Sequence, residues 1–299
     1  MVILRLCPMK LKMPHPLPYQ GSKRKLAPLI SQYVPSDVGT IFEPFCGSAA
    51  FTLYAAETNL ARRFVVGDSC APIVDLWELI VNDPSKVIGE YSKVWSGQDG
   101  TYGYFNAVRA EFNKSRDPVL FLFLAARCVA NAIRFGASGD FTQSQDKRRQ
   151  GTHPDRMANE IQKSSNILRG RTTFFRGDFA DCIASATEKD LVYMDPPYQG
   201  TSEGNDKRYF SSLERCRLEE TLDKLNRRNV PFLLSYDGMH GEKVYGSDLP
   251  AHLRATKLLI ETGRSTQGTL SGRKVITKEG LYVSHQLAIK PSQQMAMAF

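Results

Sequence analysis

The sequence predicts an α/β fold, a mostly parallel sheet closed by an antiparallel C-terminal strand pair and interrupted by a helical insert. Three observations carry this. Short apolar β-type runs alternate with helical patterns along most of the chain. The last two runs, Thr256–Glu261 and Gly280–Ile289, are separated only by the turn-rich stretch Thr262–Lys278, so an antiparallel pair is expected there. The interval between the runs Arg63–Gly67 and Thr172–Arg176 is too long for one crossover helix and holds several helical patterns.

In chain order, the leader Met1–Pro14 reads as irregular and frayed, as does the tail after Lys290. The strand candidates are Thr40–Glu43, Arg63–Gly67, Thr172–Arg176, Asp190–Met194 and Pro231–Tyr236, followed by the C-terminal pair. The most apolar helix candidate, Pro118–Ile133, is interrupted by Arg127 and is too short to span a bilayer, so it is read as a core helix. Residues 14–75 and 170–290 then form one discontinuous catalytic domain, and 76–169 an inserted recognition module. The second half of that module turns polar and basic, through Arg134-Phe135-Gly136, Gly139-Asp140-Phe141 and Lys147-Arg148-Arg149.

Composition narrows the class. The 299 residues are 42% apolar and 23% charged, enough for one well-packed core and against wholesale disorder. A formal charge of +8 favours a polyanionic partner, because each phosphate contacted releases condensed counterions. The six cysteines are scattered, with no C-x-x-C pair, and there are five histidines. Neither a metal site nor a disulfide framework is expected, and a reduced, cytoplasmic protein is the simplest reading. The N-terminus lacks a sustained apolar region with a cleavage site, so no signal peptide and no membrane association are expected.

Four segments carry chemistry. Asp195-Pro196-Pro197-Tyr198 follows the apolar strand Leu191–Met194, at the carboxyl edge where α/β sheets place their sites. A planar amine such as that of adenine is a poor nucleophile, its lone pair being delocalised into the ring. The Asp195 carboxylate and the Pro196 carbonyl can accept its two N–H bonds and turn the lone pair toward an incoming methyl group. Pro197 stiffens the turn, and Tyr198 can stack on a flipped base. The second segment is Glu43-Pro44-Phe45-Cys46-Gly47-Ser48-Ala49, a glycine loop after a strand that lets an adenosyl ligand approach the backbone. It lacks the G-x-G-x-x-G pattern of dinucleotide sites. Asp68, followed by Ser69, ends the next strand, where an acid can bind ribose hydroxyls. The third segment is Tyr19-Gln20-Gly21-Ser22-Lys23, and the fourth is Gly177-Asp178-Phe179, whose carboxylate and ring could meet an adenine. Each of these also suits an ordinary turn, a solvated acid or a basic helix start.

Taken in order, these motifs resemble the alpha group of amino-methylating DNA methyltransferases, the DNA adenine methylase (Dam-like) family. The aromatic-x-Gly-x-Lys segment is matched by Tyr19, Gly21 and Lys23, the Glu-Pro-Phe-x-Gly segment by Glu43, Pro44, Phe45 and Gly47, and the catalytic tetrapeptide by Asp195 to Tyr198. Asn131 through Phe135 and Gly139 to Phe141 resemble the family's Asn-Gly-x-x-Arg…Gly-Glu-Phe stretch, with Asn131-Ala132 in place of Asn-Gly. Thr142-Gln143-Ser144-Gln145 stands where Val-Pro-Phe-Gly is usual, and Ser235-Tyr236-Asp237-Gly238 resembles the strand after the catalytic motif.

The resemblance implies a Rossmann-like, S-adenosylmethionine-dependent methyltransferase sheet that methylates N6 of a flipped adenine in double-stranded DNA, without a metal. The cofactor would meet Tyr19, Gln20, Gly21, Lys23, Glu43–Ala49, Asp68, Ser69, Asp178, Phe179 and Asp195. DNA would meet Arg134, Lys147, Arg148 and Arg149, with Phe135 or Phe141 as a wedge, and Arg264 and Arg273 on a C-terminal loop. A monomer or weak dimer of bacterial or phage origin, associated with the nucleoid and with a possible cognate restriction endonuclease, fits this reading. The alternatives are a methyltransferase for another planar amine (cytosine N4, RNA adenine or glutamine) and a non-catalytic DNA-binding protein on the same scaffold.

Overall fold

A computed structural model describes residues 3–5, 12–99, 102–197, 215–240, 243–244, 247–264 and 276–287. The strands are β1 (Ile3–Arg5), β2 (Val38–Glu43), β3 (Ala61–Asp68), β4 (Thr172–Arg176), β5 (Leu191–Met194), β6 (Phe232–His240), β7 (Lys243–Val244), β8 (Ala255–Arg264) and β9 (Ile276–Ser284). The helices are α1 (Ala27–Ile30), α2 (Ala50–Glu57), α3 (Ala71–Asn82), α4 (Pro84–Ser96), α5 (Tyr102–Ser115), α6 (Pro118–Arg127), α7 (Pro154–Leu168), α8 (Phe179–Cys182) and α9 (Arg215–Arg227). The strands form one sheet in the order β1-β8-β9-β6-β5-β2-β3-β4, with β7 beside β6. β2, β3, β4, β5 and β6 pair in parallel, and β9 runs antiparallel between β6 and β8.

Alternation along the strands distributes side chains to two apolar layers. Ile41, Phe64, Leu191 and Tyr193 face a layer filled by α2, α3, α6 and α7. Phe42, Val192 and Met194 face a second layer filled by Leu218, Leu222 and Leu225 of α9. Every residue of β5 is buried, the pattern of a central parallel strand covered on both faces.

The structure revises three expectations. Part of the leader is ordered: β1 pairs in parallel with β8, and Met13 is buried. An edge strand presents unpaired backbone groups, and β1 satisfies those of β8. β9 begins at Ile276, because the ladder with β8 runs on through Thr277, Lys278 and Glu279, whose polarity hides a strand. The apolar helix begins as expected, with Asp117 accepting from the amides of Val119 and Leu120 at 2.7 and 3.0 Å, but stops at Arg127. There the buried guanidinium donates to the Asp146 carbonyl and to Gln98 at 2.7 Å, and the chain turns through Ala130 and Asn131 at φ 57° and 52°.

Within 76–169, α3 packs on β3 and β4, and α7 packs on α2 and α3. Helix α4 packs on α6 and α7, and α5 on α6.

Candidate active site

The chain leaves β2 toward β3 and β4 on one side, whereas β5 and β6 lie on the other. The strand order therefore reverses between β2 and β5, and the crevice at such a switch point is the binding position of an open α/β sheet. β2 ends at Glu43 and β5 at Met194, with Ile41 opposite Leu191, so the Pro44–Ala49 loop and Asp195–Pro197 emerge side by side.

The glycine loop is tied down from several elements. The Cys46 amide donates to the Gly67 carbonyl at 2.8 Å, and the Trp77 indole of α3 donates to the Gly47 carbonyl at 2.9 Å. Asp68 accepts from the Gly47 amide at 3.1 Å through one oxygen and from the Cys70 amide at 2.9 Å through the other. Gly47 has a φ of +43°, where a side chain would be strained, and a Cβ there would lie 3.1 Å from the Tyr19 ring. Glu43 is buried beneath the loop and accepts from the Thr52 amide at 2.9 Å and from its hydroxyl, at the start of α2. Burial pushes Glu43 from 4.5 up to about 8. Burial likewise pushes Asp68 from 3.8 to about 6, against the pull of the Cys70, Gly47 and Ser69 amides. Ser69 itself is exposed, and Pro44, Ser48 and Ala49 are buried.

The N-terminal segment closes one side. The buried Lys23 ammonium lies 3.1 Å from Asp195 and 3.3 Å from Glu279, and donates to the Gly21 carbonyl at 3.2 Å. The Ser48 hydroxyl donates to that of Ser22 at 2.8 Å, joining this segment to the glycine loop. The Gln20 amide donates to the Asn131 carbonyl at 3.1 Å, joining it to the left-handed turn after α6.

Asp178 caps α8 through the Ala180 amide at 2.9 Å and pairs with Arg217 of α9 at 2.6 Å. Phe179 is buried, stacks on Phe45 at 5.1 Å between centroids, and has the Arg217 guanidinium 5.5 Å from its ring centre. Phe45, Asp178 and Phe179 thus come together, with Arg217 as a fourth member.

The basic insert is organised differently from the sequence reading. Phe135 and Phe141 are not surface wedges: both are buried, lie 5.9 Å apart and pack with Phe112 and Phe121. Arg149 donates to Asp146 at 2.9 Å, to the Cys128 carbonyl at 3.0 Å and to Asn131 at 3.2 Å. Arg148 also meets Asp146, at 3.3 Å, but its side chain is 84% exposed. The Arg148 amide and the two guanidinium groups hold the Asp146 carboxyl down to about 2. Lys147 is exposed and Arg134 half-buried. A groove edged by His15, Asn131, Arg149, His153 and Arg156 runs beside this loop. Arg264 lies in β8 opposite Ile276, and Tyr198 and Arg273 lie outside the described residues.

Glu279, Trp77 and Arg217 join the site without having been singled out in the sequence. Among the described residues no group of three or more His, Cys, Asp or Glu could hold a metal ion, and no helix is long and apolar enough to cross a membrane.

A parallel sheet with this strand order, an antiparallel β9 and loops of this kind at its switch point defines a methyltransferase fold. Residues 19–265 match the family described as D12 class N6 adenine-specific DNA methyltransferase, and the chain belongs to that family. Among its relatives is the DNA adenine methylase of Escherichia coli (strain K12), 24% identical over 229 residues, which are 73% of this chain and 79% of the relative. The DNA N-6-adenine-methyltransferase of Escherichia phage P1 is 27% identical over 236 residues, 74% of this chain and 29% of that protein. Modification methylase StsI of Streptococcus sanguinis is 24% identical over 230 residues, 74% of this chain and 35% of that protein. Members of this family are described as adenine-specific DNA methyltransferases.

Proposed function

We propose that this chain binds S-adenosylmethionine in the crevice between β2 and β5 and methylates N6 of a flipped adenine in double-stranded DNA. The observation that carries this is the emergence of Asp195 beside the glycine loop at the switch point, with the strands that precede them in register. The donor set fits an adenosyl ligand. Gly47 lacks a Cβ under the Tyr19 ring, and the Asp68 carboxylate, held by backbone amides at the end of β3, is an acceptor of the kind ribose hydroxyls need. Bound S-adenosylmethionine supplies a methyl group on a positively charged sulfur. Asp195 and the Pro196 carbonyl would accept the two N–H bonds of the target amine and aim its lone pair at that methyl group. Asp195 orients rather than deprotonates beforehand, because the methylated ammonium is acidic and loses its proton readily. Tyr198 would stack on the flipped base.

Residues 76–169 are assigned to target recognition, and the exposed Lys147 and Arg148 to the DNA backbone. A groove lined by Pro18, His153 and Arg156 adjoins the Tyr19–Lys23 segment, which supports a duplex path past the crevice. The test is nucleoside mass spectrometry of unmethylated DNA treated with the protein and S-adenosylmethionine. N6-methyladenine is the expected product; N4-methylcytosine, or no modified nucleoside, would overturn the proposal.

A further inference from the structure

The carboxyl ends of four neighbouring strands carry polar groups in a row. Across the sheet the order is β5, β2, β3, β4. At their ends stand, in turn, Asp195, the glycine loop, Asp68 and Asp178. Adjacent strands are about 4.8 Å apart. The last two positions are joined directly, because the Gly177 amide donates to the Asp68 carbonyl at 3.1 Å. A ligand lying along this edge, with its transferable methyl group by Asp195 and its ribose by Asp68, carries its base to Asp178.

At Asp178 the protein supplies an arginine from another element. Arg217 lies in the first turn of α9, whose Leu218, Leu222 and Leu225 are buried in the same apolar layer as Phe179. Its Nη2 meets Asp178 Oδ1 at 2.6 Å, and the Ala180 amide donates to that same oxygen at 2.9 Å. Two donors on one oxygen fix the direction of the carboxylate, so Oδ2 is the oxygen suited to a further donor. The guanidinium also lies over Phe179, 5.5 Å from the ring centre, and Phe179 stacks on Phe45 of the glycine loop. The ion pair is 53% exposed on the Arg217 side and 29% on the Asp178 side, so it contributes little to stability. What it fixes is where the Asp178 carboxylate points.

We infer that Arg217 is a positioning residue for the base of the cofactor: by holding Oδ1 of Asp178 it presents Oδ2 to the exocyclic amine of the adenosyl group, so that the site selects an amino-substituted purine. The inference rests on the crevice being the S-adenosylmethionine site and extends that reading to the far end of the ligand. An amine donates where a ring hydrogen does not, so the selection is read as a ratio of affinities for two ligands that differ only there.

The test is calorimetric binding of S-adenosylhomocysteine and its 6-deamino analogue, which has hydrogen in place of the adenine amine, to the full chain as wild type, Asp178→Ala and Arg217→Ala. The wild type should prefer the amino ligand about tenfold or more. Asp178→Ala should erase that preference. Arg217→Ala should lower it about fivefold, with affinity for the deamino analogue held within about twofold. If Arg217 only anchored α9, its loss would weaken both ligands equally or neither. An unchanged preference in Arg217→Ala, or equal loss for both ligands, would therefore overturn the role of Arg217 and leave the crevice reading standing. A wild type that binds both ligands without preference would overturn the place of Asp178 at the base, and that of Arg217 with it. A wild type that binds neither would overturn the crevice reading as well.

Discussion

The crevice between β2 and β5 and the loop after α6 are both rich in charge, yet they deploy it in opposite ways. In the crevice, Asp195 and Asp68 stand at the ends of β5 and β3, Asp195 paired with Lys23 and Asp68 held by the Gly47 and Cys70 amides. In the loop, Arg149 is spent on Asp146, Cys128 and Asn131, and Arg116 on Gly139 and Asp140. A cation in a basic stretch can grip a phosphate or staple its own loop, and only three-dimensional structure distinguishes the two. Lys147, Arg148 and Arg149 are all exposed to some degree, but Arg149 makes three contacts to its own loop, whereas Arg148, 84% exposed, meets only Asp146 through its side chain among the described contacts.

The largest effect is expected in the crevice. Asp195→Ala should lower kcat by about a thousandfold or more, as for loss of a group that acts on the reacting atoms. S-adenosylmethionine affinity should change far less, and comparable losses in both would merge the base half and the cofactor half of the site. Asp68→Ala should act in the reverse sense, weakening S-adenosylmethionine binding by about 1–3 kcal/mol, the range for a charged hydrogen-bond acceptor. Calorimetry on the folded variant checks this.

In the loop, the comparison predicts a split. Neutralising Lys147 and Arg148 together should reduce the slope of log K against log salt for DNA by roughly 1.8, if both touch duplex phosphates. Arg149→Ala should do the opposite, lowering stability by about 1 kcal/mol with the salt slope unaltered. DNA binding at several salt concentrations, with thermal melts, decides. A slope that falls only in the Arg149 variant would reverse the assignment.

The contrast also explains what could be read from the sequence. Asp195 was legible because a fully apolar run announces a buried parallel strand and two prolines fix the turn that follows. The glycine loop was legible because Gly47 and its small neighbours are demanded locally. Glu279 was not, because its place depends on the register of β9 and on bulges in two other strands. Phe135 and Phe141 suit core positions as well as wedges in the sequence, and Phe112 and Phe121, from α5 and α6, decide for the core by completing an aromatic cluster around them. Trp77 and Arg217 likewise act through contacts distant in sequence.

A further prediction, on stability rather than on activity, concerns Glu43. Its folded value of about 8 lies above the ordinary 4.5, so the folded chain retains a proton that the unfolded chain releases. The associated stability is complete at acid pH and is lost as pH rises toward and through about 8. Glu43→Gln should flatten that decline, which falls between about pH 4.5 and pH 8. Denaturant unfolding across that range checks it, and parallel curves for the two proteins would place the proton elsewhere.

The division of the crevice into a cofactor half and a base half is the central claim, and a crystal structure of the chain with S-adenosylhomocysteine tests it most directly. The account predicts ribose hydroxyls on the Asp68 carboxylate and the ligand against the Gly47 backbone, with Asp195 left facing open space for a base. A ligand seated away from the β2 and β5 ends, for example in the groove between His15 and Arg156, would contradict it.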